Sequence, residues 1–117
     1  MLARYPDARV AVYAVWQPML PTDVSAPSTR TLARLSDSRV RQYYDPNHLL
    51  AQRIKADARP PQPTPDCCTR KGILWDLMAI YPARATWTDK MPVADIFNGT
   101  VVDVVDGLDE VLKAQKK

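Results

Sequence analysis

The two cysteines of this 117-residue chain are adjacent, Cys67 and Cys68, and follow a run of prolines in the stretch PPQPTPDCCTRKG at 60–72. When reduced, neighbouring thiols are soft ligands for Cu(I), Zn(II) or another thiophilic ion. When oxidised to each other they form a strained bond, because neighbouring Cα atoms lie ~3.8 Å apart, below the ~4.4–6.8 Å usual for a disulfide. Such a bond is easily reduced, which fits a regulatory or catalytic role better than a structural one.

Two basic residues close to the cysteines bear on the ionisation of the thiols. Arg70 and Lys71 follow closely in the sequence and would favour a thiolate. The alternative interpretation is that Cys67 and Cys68 are small apolar residues that pack a loop against the sheet, as free cysteines often do.

Further metal ligands are scarce. A closed zinc site needs four ligands, and the chain adds one strong candidate, His48, with Asp23 and Asp66 as weaker ones, at no recognisable spacing. No metal or cofactor is assigned, so the cysteines remain the candidates for both catalysis and metal binding. With three glycines, the chain has no glycine-rich nucleotide loop.

Composition indicates one globular domain, residues 1–117. Hydrophobic residues make up 46% and charged residues 25%, ordinary values for a soluble protein. The net charge is +3, with an excess of positive charge between Arg30 and Lys71, but no basic run accompanies it, which disfavours nucleic acid as a partner. No apolar segment approaches the ~18 residues of a membrane span, and the start lacks the apolar core of an export signal. A cytoplasmic location without a membrane partner is expected.

Hydrophobic patterns predict alternating elements in the first half. RVAVYAVW (9–16) is dense in β-branched and aromatic residues, which predicts a strand buried on both faces. A short helix capped by Ser25 or Ser28 follows. RVRQYYD (39–45) alternates as an outer strand does, and HLLAQRIKADA carries an apolar helical stripe. The strand–helix–strand order predicts two parallel strands.

The second half predicts antiparallel strands and a final helix. GILWDLMAIYP (72–82) is typical of a core strand, with Asp76 inside it. VADIF and TVVDVV flank Asn98-Gly99, a strong pattern for a type I′ hairpin, and GLDEVLKAQKK predicts the last helix. Together the elements predict an α/β three-layer sandwich on a mixed sheet, with a C-terminal antiparallel hairpin and a final helix.

From Arg9 to Lys113, this pattern resembles the thioredoxin-like fold. MPVADIFNGTVVDV resembles the family signature in which an X-Pro precedes a strand, an Asn-Gly hairpin and a last strand. VWQPML is similar to the segment in which Trp precedes Cys-Gly-Pro-Cys. Aligned on the proline, Trp16 and Met19 stand at the two redox cysteines. The resemblance therefore implies the scaffold without its usual dithiol.

One departure concerns the number of late strands. The family has two antiparallel strands before its last helix, whereas three are predicted here. Either ILWDLMAIY takes the third-strand position, with the family's cis-proline in the Pro60–Pro65 loop, or it is an addition and the cis-proline is Pro92.

Two hypotheses about function follow from where the predicted fold would place the cysteines. If ILWDLMAIY pairs with the first strand, the cysteines come level with the loop 16–23, where open α/β folds bind ligands. The first hypothesis is a non-catalytic module whose cleft binds a peptide, protein or small ligand through Trp16, Met19, Asp23, Arg70, Tyr81 and Trp87. The alternative is a thiol-dependent redox or soft-metal-binding protein that uses Cys67 and Cys68. The missing CXXC motif favours the first, and whether the protein is an enzyme stays open.

Overall fold

The computed structural model describes residues 1–58, 62 and 67–114. The strands are β1 (Val12–Trp16), β2 (Val40–Tyr44), β3 (Thr69–Arg70), β4 (Ile73–Leu74), β5 (Leu77–Ile80) and β6 (Ile96–Gly99). The α-helices are α1 (Thr29–Leu32), α2 (Leu49–Asp57) and α3 (Val101–Ala114), and 3₁₀ turns occupy Leu2–Arg4 and Ala33–Leu35. The expected α/β class, with parallel and antiparallel strand pairs, is confirmed.

Cα packing divides the chain into two compact units. The first comprises Met1–His48 and the residues from Leu112 onward, and the second comprises Leu49–Val111. No helix within the described ranges is long and apolar enough to cross a membrane.

The first unit contains the predicted strand–helix–strand segment. β1 and β2 pair in parallel, from Val12 opposite Val40 to Trp16 opposite Tyr44, which confirms both strands. Ser28 is the N-cap of α1, as one of the two expected caps, and its hydroxyl accepts the Thr31 N–H at 3.2 Å.

The expectation that β1 is buried on both faces is wrong. Tyr13 is 67% exposed, and its ring stacks on that of Tyr43, which is 54% exposed, with centroids 6.4 Å apart. The β-branched and aromatic run therefore reflects strand propensity and pairing of exposed rings rather than burial of both faces.

Arg39 ties the N-terminal segment to the start of β2. Its guanidinium donates to the backbone carbonyls of Leu2, Tyr5 and Ala8 at 2.6–3.2 Å. The same group donates to both carboxylate oxygens of Asp37, at 2.6 and 2.9 Å. Hydrogen bonds from Arg39 lower the pKa of Asp37 from 3.8 to about 2.

The second unit has its own apolar core. Phe97 of β6 is 2% exposed and packs in a buried cluster with Ala51 of α2, Leu74, Met91 and Ala94. Ile54 of α2 packs against this cluster, so the helical stripe predicted for residues 48–58 does face the core.

The single strand expected at 72–82 is interrupted. β3 and β4 form a hairpin around Lys71 and Gly72, whose φ values of 49° and 79° are those that a type I′ turn requires. Asp76 then adopts φ 50° and separates β4 from β5. This left-handed residue cannot continue a strand, and Asp is one of the residue types that tolerate it.

The predicted Asn98-Gly99 hairpin and the strand TVVDVV are wrong. Asn98 and Gly99 end β6, neither has a positive φ, and α3 begins at Val101. Thr100 donates its hydroxyl to the Asp103 carboxylate at 2.6 Å, and its carbonyl accepts the Asp103 N–H at 2.9 Å. The following apolar side chains repeat at helical spacing and are buried or half-buried: Val104, Val105, Leu108, Val111 and Leu112. Capping and this stripe outweigh the β propensity of valine.

Strand pairing gives three two-stranded sheets within the described residues, β1–β2, β3–β4 and β5–β6. β5 and β6 are antiparallel, with Leu77 opposite Gly99 and Ile80 opposite Ile96. One mixed sheet in a three-layer sandwich is therefore not confirmed. The Met91–Pro92 bond is trans, so Pro92 is not a cis-proline, and the other candidates, the prolines of the Pro60–Pro65 loop, lie outside the described residues.

Candidate functional site

The two cysteine sulfurs are bonded to each other, with the Cα atoms 3.7 Å apart. Cys68 is 8% exposed and has φ 74°, whereas Cys67 is partly exposed. The pair therefore forms a disulfide between adjacent residues, with one half open to solvent and the other buried. This arrangement differs from two free thiols that only fill a loop.

The β3–β4 hairpin fixes the position of Cys68. The Cys68 carbonyl accepts the Trp75 N–H at 2.9 Å, directly beyond the end of β4. Because the two-residue turn sets the register of Thr69 opposite Leu74, the disulfide is held against residues 75 and 76.

Gly99 lies directly against the disulfide, and its lack of a side chain makes this close approach possible. A Cβ atom at this position would overlap with the Cys68 sulfur and with the Asp76 carbonyl oxygen, and it would lie 3.1 Å from the Cys67 sulfur. The end of β6 thus approaches the disulfide more closely than any other residue type would allow. The sequence did not identify Gly99 as a site residue, although a glycine inside a strand often marks such a close approach.

Asp76 connects the disulfide to the first turn of α3. Its carbonyl oxygen lies 3.6 Å from the Cys68 sulfur, and its carboxylate accepts the Val101 N–H at 3.3 Å. Asp76 was expected inside a core strand. The side chain is instead exposed and satisfies one of the free N–H groups of a helix start.

Basic side chains surround the hairpin that follows the cysteines. The Arg70 guanidinium lies 6.0 Å from the centre of the Trp75 ring, within cation–π distance. Lys55 of α2 donates to the Gly72 carbonyl at 2.9 Å, and Lys71 is exposed in the turn. Arg70 is therefore an exposed cation in the same unit as the disulfide, packed on the Trp75 ring.

Three of the predicted binding residues, Trp16, Met19 and Asp23, belong to the first unit. The Trp16 indole donates to the Gln42 side chain at 3.0 Å. The Asp23 carboxylate accepts the N–H groups of Leu20 and Met19 at 2.7 and 2.8 Å, and these bonds lower the pKa of Asp23. Asp23 thus holds a turn, and its carboxylate is engaged with the backbone.

Tyr81 and Trp87 lie on the segment 81–94 of the second unit. Tyr81 packs against the core, and burial raises the pKa of its hydroxyl. Trp87 is 36% exposed. Three hydrogen bonds anchor the segment. The Arg53 side chain donates to the Asp89 carbonyl. The Met91 N–H donates to the Asp57 carboxylate and the Ala94 N–H to the Gln62 side-chain oxygen, both at 2.9 Å.

Metal ligands do not cluster in the described part of the chain, where no three His, Cys, Asp or Glu side chains come together. A His48 ring nitrogen lies 2.6 Å from the Pro18 carbonyl oxygen, within the first unit. Asp66 lies outside the described residues. Cys67 and Cys68 are the chain's two thiol ligands, and they lie together as a pair.

Comparisons with protein-family models, with curated proteins and with solved structures found no match.

Proposed function

We propose that the protein is a thiol–disulfide exchange protein in which Cys67 and Cys68 cycle between the disulfide and the dithiol. The observation that carries this proposal is the bond between two adjacent cysteines that differ in exposure. A structural disulfide closes a long loop, and its stabilisation grows with the length of that loop. A bond between neighbours closes almost no chain, so stabilisation of the fold does not account for it.

Exposure distinguishes the two sulfurs in the exchange. Cys67 is partly exposed and receives the attack of a substrate thiolate, whereas the more buried Cys68 is the leaving group. Once Cys68 is protonated, its thiol can donate to the Asp76 carbonyl, which lies 3.6 Å from the sulfur. In the disulfide this sulfur carries no proton, so the hydrogen bond belongs to the reduced form.

The exchange balances with a dithiol as co-reactant. One substrate thiolate attacks the Cys67 sulfur, the bond to Cys68 breaks, and Cys68 leaves with the electron pair. The second substrate thiolate then attacks the substrate sulfur of the mixed disulfide, which forms the substrate disulfide and releases Cys67. Two electrons pass from the dithiol to the protein, and two protons end on Cys67 and Cys68.

Adjacency sets the direction of this reaction. Cα atoms 3.7 Å apart lie closer than the usual disulfide range of about 4.4–6.8 Å. Strained disulfides have more oxidising potentials, so the protein oxidises dithiols more readily than it reduces disulfides.

Trapping of a mixed disulfide tests the assignment of roles. In Cys68→Ser the remaining Cys67 thiol should react with a chromogenic aromatic disulfide faster than the Cys68 thiol of Cys67→Ser, with circular dichroism confirming that both variants fold. Peptide mass spectrometry locates the adduct. Faster reaction at Cys68, or reaction of both thiols only in denaturant, would argue against the proposal.

The second candidate is a binding module on a thioredoxin-like scaffold. The order of elements supports the scaffold, because α3 takes the place of the expected last strand and directly follows the antiparallel pair β5–β6. The expected third late strand, TVVDVV, is thereby replaced by α3, whereas the β3–β4 hairpin remains a departure from the family pattern.

The anchored segment 81–94 favours binding as the activity of this module. It presents Trp87, 36% exposed, and Val93, 49% exposed, on a backbone held at three points, which reduces the entropy lost when a peptide or protein partner binds. Trp87→Ala should then weaken capture of an apolar peptide in a library selection, whereas Val24→Ala, at an 86% exposed position of the first unit, should not. Equal capture by both variants would oppose this candidate.

A further inference from the structure

The number of sulfur ligands determines what the reduced pair can hold. The chain contains two cysteines, and no third His, Cys, Asp or Glu joins them among the described residues. Tetrahedral zinc needs four ligands, so it is poorly served here. The ligand that suits this pair needs only two bonds from the protein, one to each of two adjacent thiolates.

The surroundings of Cys68 limit how far the sulfurs can separate. The Cys68 carbonyl is held by the Trp75 N–H, its sulfur contacts the Asp76 carbonyl, and Gly99 closes the site. Linear two-coordinate ions need the sulfurs on opposite sides of the metal, which adjacent cysteines with Cα atoms 3.7 Å apart oppose. Trivalent arsenic is pyramidal and bonds two sulfurs on the same side, close together.

We infer that the reduced Cys67–Cys68 pair is a binding site for monosubstituted trivalent arsenicals, in which one organic group occupies the third bond of arsenic. An arsenic oxide of this type reacts with two thiols, forms two As–S bonds and releases one water, with no change of oxidation state. This inference rests on the proposed function, because only the dithiol form binds.

Phenylarsine oxide is the probe that tests the site. The folded full-length protein is reduced with a phosphine, the phosphine is removed, and thiols are counted with a chromogenic disulfide before and after the arsenical is added. We expect both thiols to be protected at one-to-one stoichiometry, with a single adduct in native mass spectrometry. Cys67→Ser and Cys68→Ser each lose the chelate and should bind about 10²–10⁴-fold more weakly.

The number of thiols counted before phenylarsine oxide is added distinguishes the exchange function from the arsenical site. If no thiols appear in the folded reduced protein, the exchange function fails. If both thiols appear but phenylarsine oxide leaves them reactive, the arsenical site alone is refuted. Inorganic arsenite, which prefers three thiols, should bind more weakly than phenylarsine oxide, and equal or tighter binding of arsenite would also overturn the inference.

Discussion

Replacement of Gly99 by alanine tests the packing of the candidate site. The new Cβ atom would overlap with the Asp76 carbonyl oxygen and the Cys68 sulfur. Neither neighbour can move aside as the end of a flexible side chain does. The carbonyl belongs to a backbone with φ 50°, and the sulfur is bonded to Cys67.

The loss of stability in Gly99→Ala follows from overpacking against both the Asp76 carbonyl oxygen and the Cys68 sulfur. Inserting one methyl group into a filled site typically costs about 1–3 kcal/mol, and rigid neighbours place Gly99→Ala near the upper end of that range. Alanine also restricts the unfolded chain, which offsets about 0.4–1 kcal/mol. The net loss in the free energy of unfolding should therefore be about 2–2.5 kcal/mol.

Urea unfolding measures this loss, and Gly107→Ala provides a matched control. A Cβ at Gly107 lies 2.7 Å from the terminal methyl of Ile96, a flexible group, and alanine gains up to about 1 kcal/mol of helix propensity within α3. Gly107→Ala should therefore change stability little.

A double-mutant cycle isolates the share of the disulfide in this cost. In the background Cys67→Ala with Cys68→Ala the sulfurs are absent, so Gly99→Ala should cost at least about 0.5 kcal/mol less than in the disulfide-bonded protein. Equal costs in both backgrounds, or a stability of Gly99→Ala equal to that of the parent protein, would refute the proposed contact between Gly99 and the cysteines.

Other perturbations probe the elements that support the site. Phe97→Ala should destabilise by about 3–5 kcal/mol in chemical unfolding, since Phe97 is 2% exposed, and a loss below about 1 kcal/mol would contradict its place in the core. Thr100→Val should cost about 0.5–1.5 kcal/mol, because it removes the hydroxyl that donates to the Asp103 carboxylate, and no loss would mean that this hydrogen bond does not support the start of α3. The pKa of Asp37 is lowered to about 2 from 3.8, so its contribution to stability is complete above pH 3.8 and is lost as the pH falls through about 2. Asp37→Asn should flatten the acid side of a stability-against-pH curve in that window, and an unchanged curve would contradict the ion pair with Arg39.

Local patterns in the sequence predicted much of the fold. The strands β1 and β2, the cap at Ser28 and the stripe of α2 each depend on residues within a few positions of one another. These features were identified correctly because propensity, capping and periodicity agree there.

The sequence misled where two local patterns competed. The valines of TVVDVV favour a strand, and Asn98-Gly99 favours a hairpin, but Thr100 and Asp103 form a helix start before an apolar stripe of helical period. The type I′ turn lies instead at Lys71-Gly72. Glycine supplies the second positive φ there, and the first is adopted by a lysine, which no turn preference predicts.

The site could be predicted only in part. Adjacent cysteines are visible in the sequence, and their chemistry follows from the spacing. The contact with Gly99 and the carbonyl of Asp76 joins segments that are distant in the chain, and it depends on the pairing of β5 with β6 and on the left-handed residue at 76. No local pattern encodes these long-range contacts.

The exchange claim is tested most directly by a redox titration of the folded protein. The chain is equilibrated in buffers of graded reduced-to-oxidised glutathione ratio, alkylated and digested, and the state of Cys67 and Cys68 is quantified by mass spectrometry, while circular dichroism reports the fold. The account predicts a reversible two-electron transition between disulfide and dithiol with an unchanged helix signal. A disulfide that persists until the protein unfolds, or thiols that never form the bond in the folded state, would contradict it.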